Sequence, residues 1–160
     1  MTSITDIVLT HHSLKELILD DRDYVQELGH KPRGLWLSDD SDYGWKEWCE
    51  SESWNTDSLL HSSDYQFTDD ANILWLSSES ELKAFTREHG SSIRDLGSMY
   101  NIDWLTVTSQ YDGILITPYQ WSCRMGGDTF WYYTWDVASA CVWNTNILKE
   151  VSNVRTEATR

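Results

Sequence analysis

Cysteine, proline and positive charge are all scarce in this chain of 160 residues, which holds three Cys, two Pro and twelve Lys plus Arg. Cys49, Cys123 and Cys141 are far apart and never spaced Cys-x-x-Cys, which argues against a disulfide framework and a structural zinc site. A reducing cytoplasm is therefore the expected compartment. The five histidines, His11, His12, His30, His61 and His89, have no spacing that would collect a metal on one helix face. No apolar run approaches the roughly eighteen residues of a membrane helix. The start, MTSITDIVLT, lacks a basic region followed by a long apolar core, so no signal peptide is expected. Gly-x-Gly-x-x-Gly, a Walker loop, a Gly-x-Ser-x-Gly elbow and a metalloprotease helix are also missing, so the common nucleotide, hydrolase and zinc classes have no motif here.

The shortage of cations sets 12 basic against 26 acidic residues, a net charge of -14. Such a surface repels phosphate backbones and excludes binding of DNA or RNA through a broad basic face. It is compatible with plain solubility, with preference for a basic protein partner, and with mimicry of nucleic acid. In the last case the chain is a non-catalytic acidic inhibitor, such as a phage- or plasmid-type antagonist. Asp20, Asp21, Asp23, Asp39, Asp40, Asp42, Glu47, Glu50 and Glu52 would then occupy a partner's basic cleft.

Aromatic residues are abundant, with ten Trp and eight Tyr. They concentrate in Tyr111 to Asn144, where Gly113 to Pro118 and Thr129 to Trp135 read as two strands of a hairpin joined by a loop at Ser122 to Asp128. Asp136 ends the second. Upstream, Ser3 to Thr10 reads as a strand. Ser13 to Glu16 is a capping box opening a helix that places Leu14, Leu17, Ile18, Val25 and Leu28 on one face up to Gly29. Lys31 to Gly34 is a turn into the strand Leu35 to Ser38, followed by an acidic loop at Asp39 to Asp42. Tyr43 to Glu50 is a short helix with a stripe of Trp45, Trp48 and Cys49, expected in the core. Tyr65 to Thr68 and Ile73 to Leu76 read as a hairpin-like pair. Ser78 to Glu81 caps a helix stopped by Gly90, and Ile93 to Tyr100 and Asp103 to Gln110 are weaker helical segments. The length and order predict one α+β domain over residues 1–154, with residues 155–160 a frayed tail.

Polar residues at strand ends are the candidate site. His11, His12 and Ser13 can hydrogen-bond a ligand's hydroxyls or serve only as filler and cap. Trp36 can stack on a flat heterocycle or belong to the core, and Ser38 ends its strand. Tyr111 and Asp112 precede one strand and Asp136 follows another, where a carboxylate can stabilise developing positive charge or merely open a turn. A sugar-binding or hydrolase module would also use stacked rings, although no clear pair of carboxylates accompanies them.

The segments IVLTHHS, GLWLS and YDGILI, with an aromatic stretch after them, resemble the split-sheet core of diphtheria-toxin-like ADP-ribosyltransferases of the His-Tyr-Glu type. The resemblance implies a split mixed sheet with short flanking helices, NAD as substrate, and transfer of ADP-ribose to a protein, nucleic-acid or small-molecule acceptor. It places His11 on the adenosine ribose, with His12 and Ser13 in the same motif. Trp36 would lie against nicotinamide with Ser38 at the strand end, and Tyr111 and Asp112 would form the turn before a later strand. His11 and Asp136 would carry catalysis, Asp136 standing for the family's Glu. The chain departs from the family pattern at His12, where the family has Gly, and at TFWYYTWD, which contains no Glu.

Overall fold

The computed structural model describes residues 3–20, 22–92, 100–151 and 155–156. They build an α+β domain around a mixed sheet, with a small second sheet and three α-helices. The strands are β1 (Leu9–Ser13), β2 (Leu28–Gly29), β3 (Leu35–Ser38), β4 (His61–Phe67), β5 (Ile73–Leu76), β6 (Gly90–Ser92), β7 (Tyr100–Asp103), β8 (Gly113–Ile116), β9 (Ser139–Val142), β10 (Leu148–Glu150) and β11 (Arg155–Thr156). The helices are α1 (Trp45–Glu52), α2 (Glu79–His89) and α3 (Trp104–Gln110). The main sheet runs β10-β4-β1-β3-β9-β8-β5, with β11 also against β4, and the small one runs β2-β7-β6. All pairs are antiparallel except β5 with β8.

Period-two alternation sends the central strands' side chains to two cores. Ile114, Ile116 and Cys141 join Leu82, Phe85, Trp104, Trp131 and Trp135 on the helical side. Leu37, Leu115, Ala140 and Val142 join Leu9, Tyr65 and Phe67 on the other. Burial on both faces explains why GILI reads as an unbroken apolar run. Gly34 allows β3 to approach β9, since a Cβ there would meet the Val142 carbonyl oxygen at 2.7 Å. Half of the second capping box forms as the sequence indicates, Ser78 accepting from the Glu81 amide, while the Glu81 carboxylate reaches back to the Ser77 amide rather than that of Ser78, and α2 ends at Gly90. Among the described residues no helix is long and apolar enough to cross a membrane.

Several local expectations are overturned. Ser3 to Thr10 is not one strand: Ile4–Asp6 is a 3-10 turn and the strand begins at Leu9, so His11, His12 and Ser13 lie within it. Among the described residues 14–20 and 22–29 there is no helix, and the backbone of Ser13 is committed to pairing with His61. Aspartates are poor helix-interior residues, and tertiary bonds hold this segment instead. The Gln26 side chain bonds both the amide and the carbonyl of Arg33, and Thr145 donates to the Asp20 carbonyl. Ile18 and Val25, which a helix would bury, are 83% and 74% exposed.

The strands at Tyr65 and Ile73 are not a hairpin, because β4 and β5 lie in different parts of the sheet, β5 taking the edge beside β8. TFWYYTW is a 3-10 helix, Phe130–Thr134, rather than a strand, and the hairpin partner of β8 is β9. Trp131, Tyr132 and Trp135 are buried together, and Phe130 stacks on Tyr133 at 5.4 Å, contacts that helical spacing makes and alternation forbids. The Trp45 and Trp48 stripe on α1 is half-buried rather than core. Arg155 and Thr156 pair with β4, and the rest of the expected tail, residues 157–160, lies outside the described residues. The helical reading at Ile93 lies, apart from Tyr100, outside the described residues, where Tyr100 itself begins β7.

Trp131 is fully buried and donates to the Thr86 hydroxyl at 2.9 Å. Trp131→Ala is therefore expected to cost ~3–5 kcal/mol in chemical denaturation, and Trp131→Phe less than that, a six-membered ring remaining while the rest of the indole and its hydrogen bond are lost.

Candidate functional site

The sheet splits between β1 and β3. β1 keeps five register pairs with β4 and β3 four with β9, whereas β1 and β3 share only Thr10↔Ser38. Continuing that ladder would set His12 opposite Trp36. Instead the Trp36 carbonyl takes its hydrogen bond from His11 Nδ1 at 2.8 Å. A carbonyl oxygen only accepts, so Nδ1 carries the proton and Nε2 of the neutral ring is an acceptor. Burial pulls His11 below the ordinary imidazole range, against the raising effect of the Trp36 carbonyl and with help from neighbouring His12, so the neutral ring is the resting form.

The fork opens a cleft of about 340 Å³, lined on the strand side by Thr10, His11, His12, Trp36, Leu37 and Ser38. That volume lies near the lower end of the ~300–1,000 Å³ usual for small-molecule sites. The segment after the aromatic 3-10 helix supplies Trp135, Asp136, Val137 and Ser139, and Lys31, Trp45, Asn55 and Ser58 complete the wall. Trp36 meets Trp135 edge-on, centroids 4.8 Å apart at 74°, and Lys31 Nζ sits 5.5 Å from the Trp36 ring centre.

A second network stiffens the fork from behind. Asp40 accepts from His12 Nε2 at 2.8 Å and from the Ser38 hydroxyl at 2.5 Å. The His12 ring is 4% exposed and its Nδ1 has no partner. Gly44 packs directly on the Asp40 carboxylate, leaving no room for a side chain. The remaining acidic loop is also used internally. Asp39 accepts from Thr117 at 2.6 Å and from Ser41, and Asp42 accepts from the Tyr119 amide at 2.8 Å. Asp39, Asp40 and Asp42, read in sequence as free carboxylates for a basic partner, thus hold this loop and the fork in shape. Asp20 is paired with Arg22, and Asp21 lies outside the described residues.

Of the residues singled out in sequence, His11, His12, Trp36, Ser38 and Asp136 line the one cleft. Ser13 does not; it ends β1 and donates to the Lys15 carbonyl. Tyr111 and Asp112 are elsewhere, before the end of β8 remote from Ile116, the residue in register with Ser139. Asp112 clamps strand ends, accepting from the Asn72 amide and the Asn144 side chain, both at 2.9 Å, while the Tyr111 carbonyl accepts from Trp143. Sequence reasoning missed Lys31, assigned to a turn, and Trp45, assigned to the core. It also missed Trp135, which directly follows the 3-10 helix, and Ser139, which β9 sets opposite Ser38.

Burial pushes the Asp136 carboxyl above its usual range, Lys31 and then Arg124 draw it back, and Glu52 adds to the rise. The folded chain therefore holds this proton more tightly than the unfolded one. The associated stability is complete below the unfolded-chain pKa and is lost as pH rises through the folded pKa. Comparison with protein-family models, with curated proteins and with solved structures gives no match.

Asp136→Asn is accordingly expected to melt no lower than the parent at pH 7. The gain should be at most about 1 kcal/mol, because the group is half exposed, and should shrink toward pH 4. Melting temperatures of both proteins at the two pH values measure it.

Proposed function

We propose that the chain is an ADP-ribosyltransferase-like protein that takes NAD into the fork between β1 and β3 and transfers ADP-ribose to a macromolecular acceptor. The observation that carries this reading is the convergence of His11, Trp36 and Asp136, from three separated stretches of sequence, on one cleft. Trp36 offers a flat apolar surface for nicotinamide. The neutral His11 Nε2 accepts a hydrogen bond from a ribose hydroxyl. Lys31 is a cation at the wall of an otherwise acidic chain and suits the diphosphate.

In the reaction the bond between ribose C1′ and the nicotinamide nitrogen breaks, and its electron pair leaves with nicotinamide. The Asp136 carboxylate stabilises the positive charge developing at C1′. The acceptor's lone pair then forms the new bond to C1′ and its proton passes to water. An Asp in place of Glu needs the backbone nearer the reacting centre. The lining of the cleft by the consecutive stretch Trp135, Asp136 and Val137, with Ser139 beyond it, supports such a close approach. Ionised Asp136 and neutral His11 both require that activity fall as pH is lowered. The raised carboxyl pKa shifts that fall toward neutrality, whereas the lowered His11 pKa keeps the imidazole out of it until the medium is acidic.

NAD is expected to raise the melting temperature and to release nicotinamide. Asp136→Ala should slow release by about a hundredfold while keeping the thermal shift, and His11→Ala should weaken the shift itself. No shift, no nicotinamide and an Asp136→Ala protein identical to the parent would reject the assignment. The net charge of -14 favours a second reading, a non-catalytic acidic protein bound to a basic partner. It predicts salt-sensitive association and indifference to NAD.

A further inference from the structure

Three indoles form a partly open surface beside the cleft. Trp45 and Trp48 of α1 stack at 5.2 Å and 10°, and Trp54 stands nearly perpendicular to both, at 6.0 Å and 88° and at 5.5 Å and 80°. Trp54 is 53% exposed. Its neighbours Ser53 and Asn55 both have positive φ, 49° and 52°, in the left-handed region that non-glycine residues avoid. α1 closes through the amides of Ser53 and Trp54, which reach the Glu50 and Cys49 carbonyls. Ser53 is the left-handed C-cap with which helices commonly end, and Asn55 is a residue type that tolerates that region. The turn between them leaves Trp54 packed on Trp45 and Trp48 and more than half exposed, a large apolar surface open to a partner.

The charge around the indoles has one sign. α1 carries Glu47, Glu50 and Glu52, all exposed, against the single Lys46. Phosphate-bearing ligands are repelled by such a rim, whereas a guanidinium is attracted by the carboxylates and by the indole faces together. The surface is continuous with the cleft, since Trp45 lines it and Glu52 acts on Asp136.

We propose that Trp45, Trp48 and Trp54, with the Glu52 side of α1, dock an arginine side chain of a basic protein segment and present that segment to the cleft mouth. The docking is independent of the NAD reading, on which rests only the further identification of this segment as the acceptor.

The test uses the full chain at about 0.15 M salt and three peptides of one length, alternating glycine with arginine, lysine or citrulline, the last a neutral isostere of arginine. Binding is read by tryptophan fluorescence and calorimetry. The arginine peptide is expected to bind and the citrulline peptide not to. Trp54→Ala should weaken arginine-peptide binding about tenfold, with Trp54→Phe retaining most of it. Trp54→Ala should keep any NAD-induced shift, because Trp54 does not line the cleft, while loss of its contacts with Trp45 and Trp48 lowers the melting temperature from which that shift is read. Equal binding by Trp54→Ala and parent, equal binding of the citrulline peptide, or tighter binding of a single-stranded oligonucleotide would overturn the proposal. Peptide binding without an NAD shift would uphold the docking surface while rejecting the transferase.

Discussion

A single unfulfilled ladder governs this structure. β1 and β3 begin as antiparallel neighbours at Thr10 and Ser38 and then stop pairing, so the Trp36 carbonyl needs a partner other than the β1 backbone. His11 supplies it, and Asp40 ties His12 to Ser38 on the same fork. An unpaired buried carbonyl costs as much as a lost hydrogen bond. The split is stable because side chains of the two strands substitute for the ladder. The same substitution fixes the His11 tautomer and leaves its second nitrogen free.

Behind the fork the aromatic core acts as a template. Trp104, Trp131 and Trp135 contact one another at 6.0 to 6.5 Å with Phe85 beside them, and the Trp131 and Trp135 N–H groups reach Thr86 and the His30 carbonyl. Trp135 is thereby anchored on its far side and meets Trp36 in a T-shaped contact. Asp136, the next residue, inherits its position from that anchor. The placement of the carboxylate is a product of tryptophan packing.

Much of the sheet was legible in the sequence, because GILI, LWLS and the Ser78 capping box are local signals with local causes. The aromatic run was misread because Thr, Phe, Tyr and Trp have strand propensity. What decides the matter is which rings are buried together, a tertiary fact. The segment after Ser13 failed for the converse reason: its helical spacing of apolar residues was outweighed by the commitment of Ser13 to β4 and by bonds from Gln26 and Thr145. For the site, His11, Trp36 and Asp136 could be picked out as polar or aromatic residues at element ends. Lys31 and Trp45 could not, since their relevance depends on a cleft that no single stretch encodes. Asp39, Asp40 and Asp42 show the opposite lesson: all three accept hydrogen bonds from the chain's own groups, and Asp39 is buried while Asp40 and Asp42 remain exposed.

The strand order has a bearing on how the chain comes to be made. Trp36 is in register with Cys141 and Phe67 with Leu148, so the centre of the sheet and the far side of β4 are completed only by residues separated from their partners by roughly half the chain or more. During synthesis, β1, β3 and β4 leave the ribosome with an open edge and must wait for β9 and β10. Long-range pairing of this kind is slow and leaves strand edges exposed meanwhile. The early segments carry many more carboxylates than cations, and like charge of that kind disfavours association of chains whose strand edges are open.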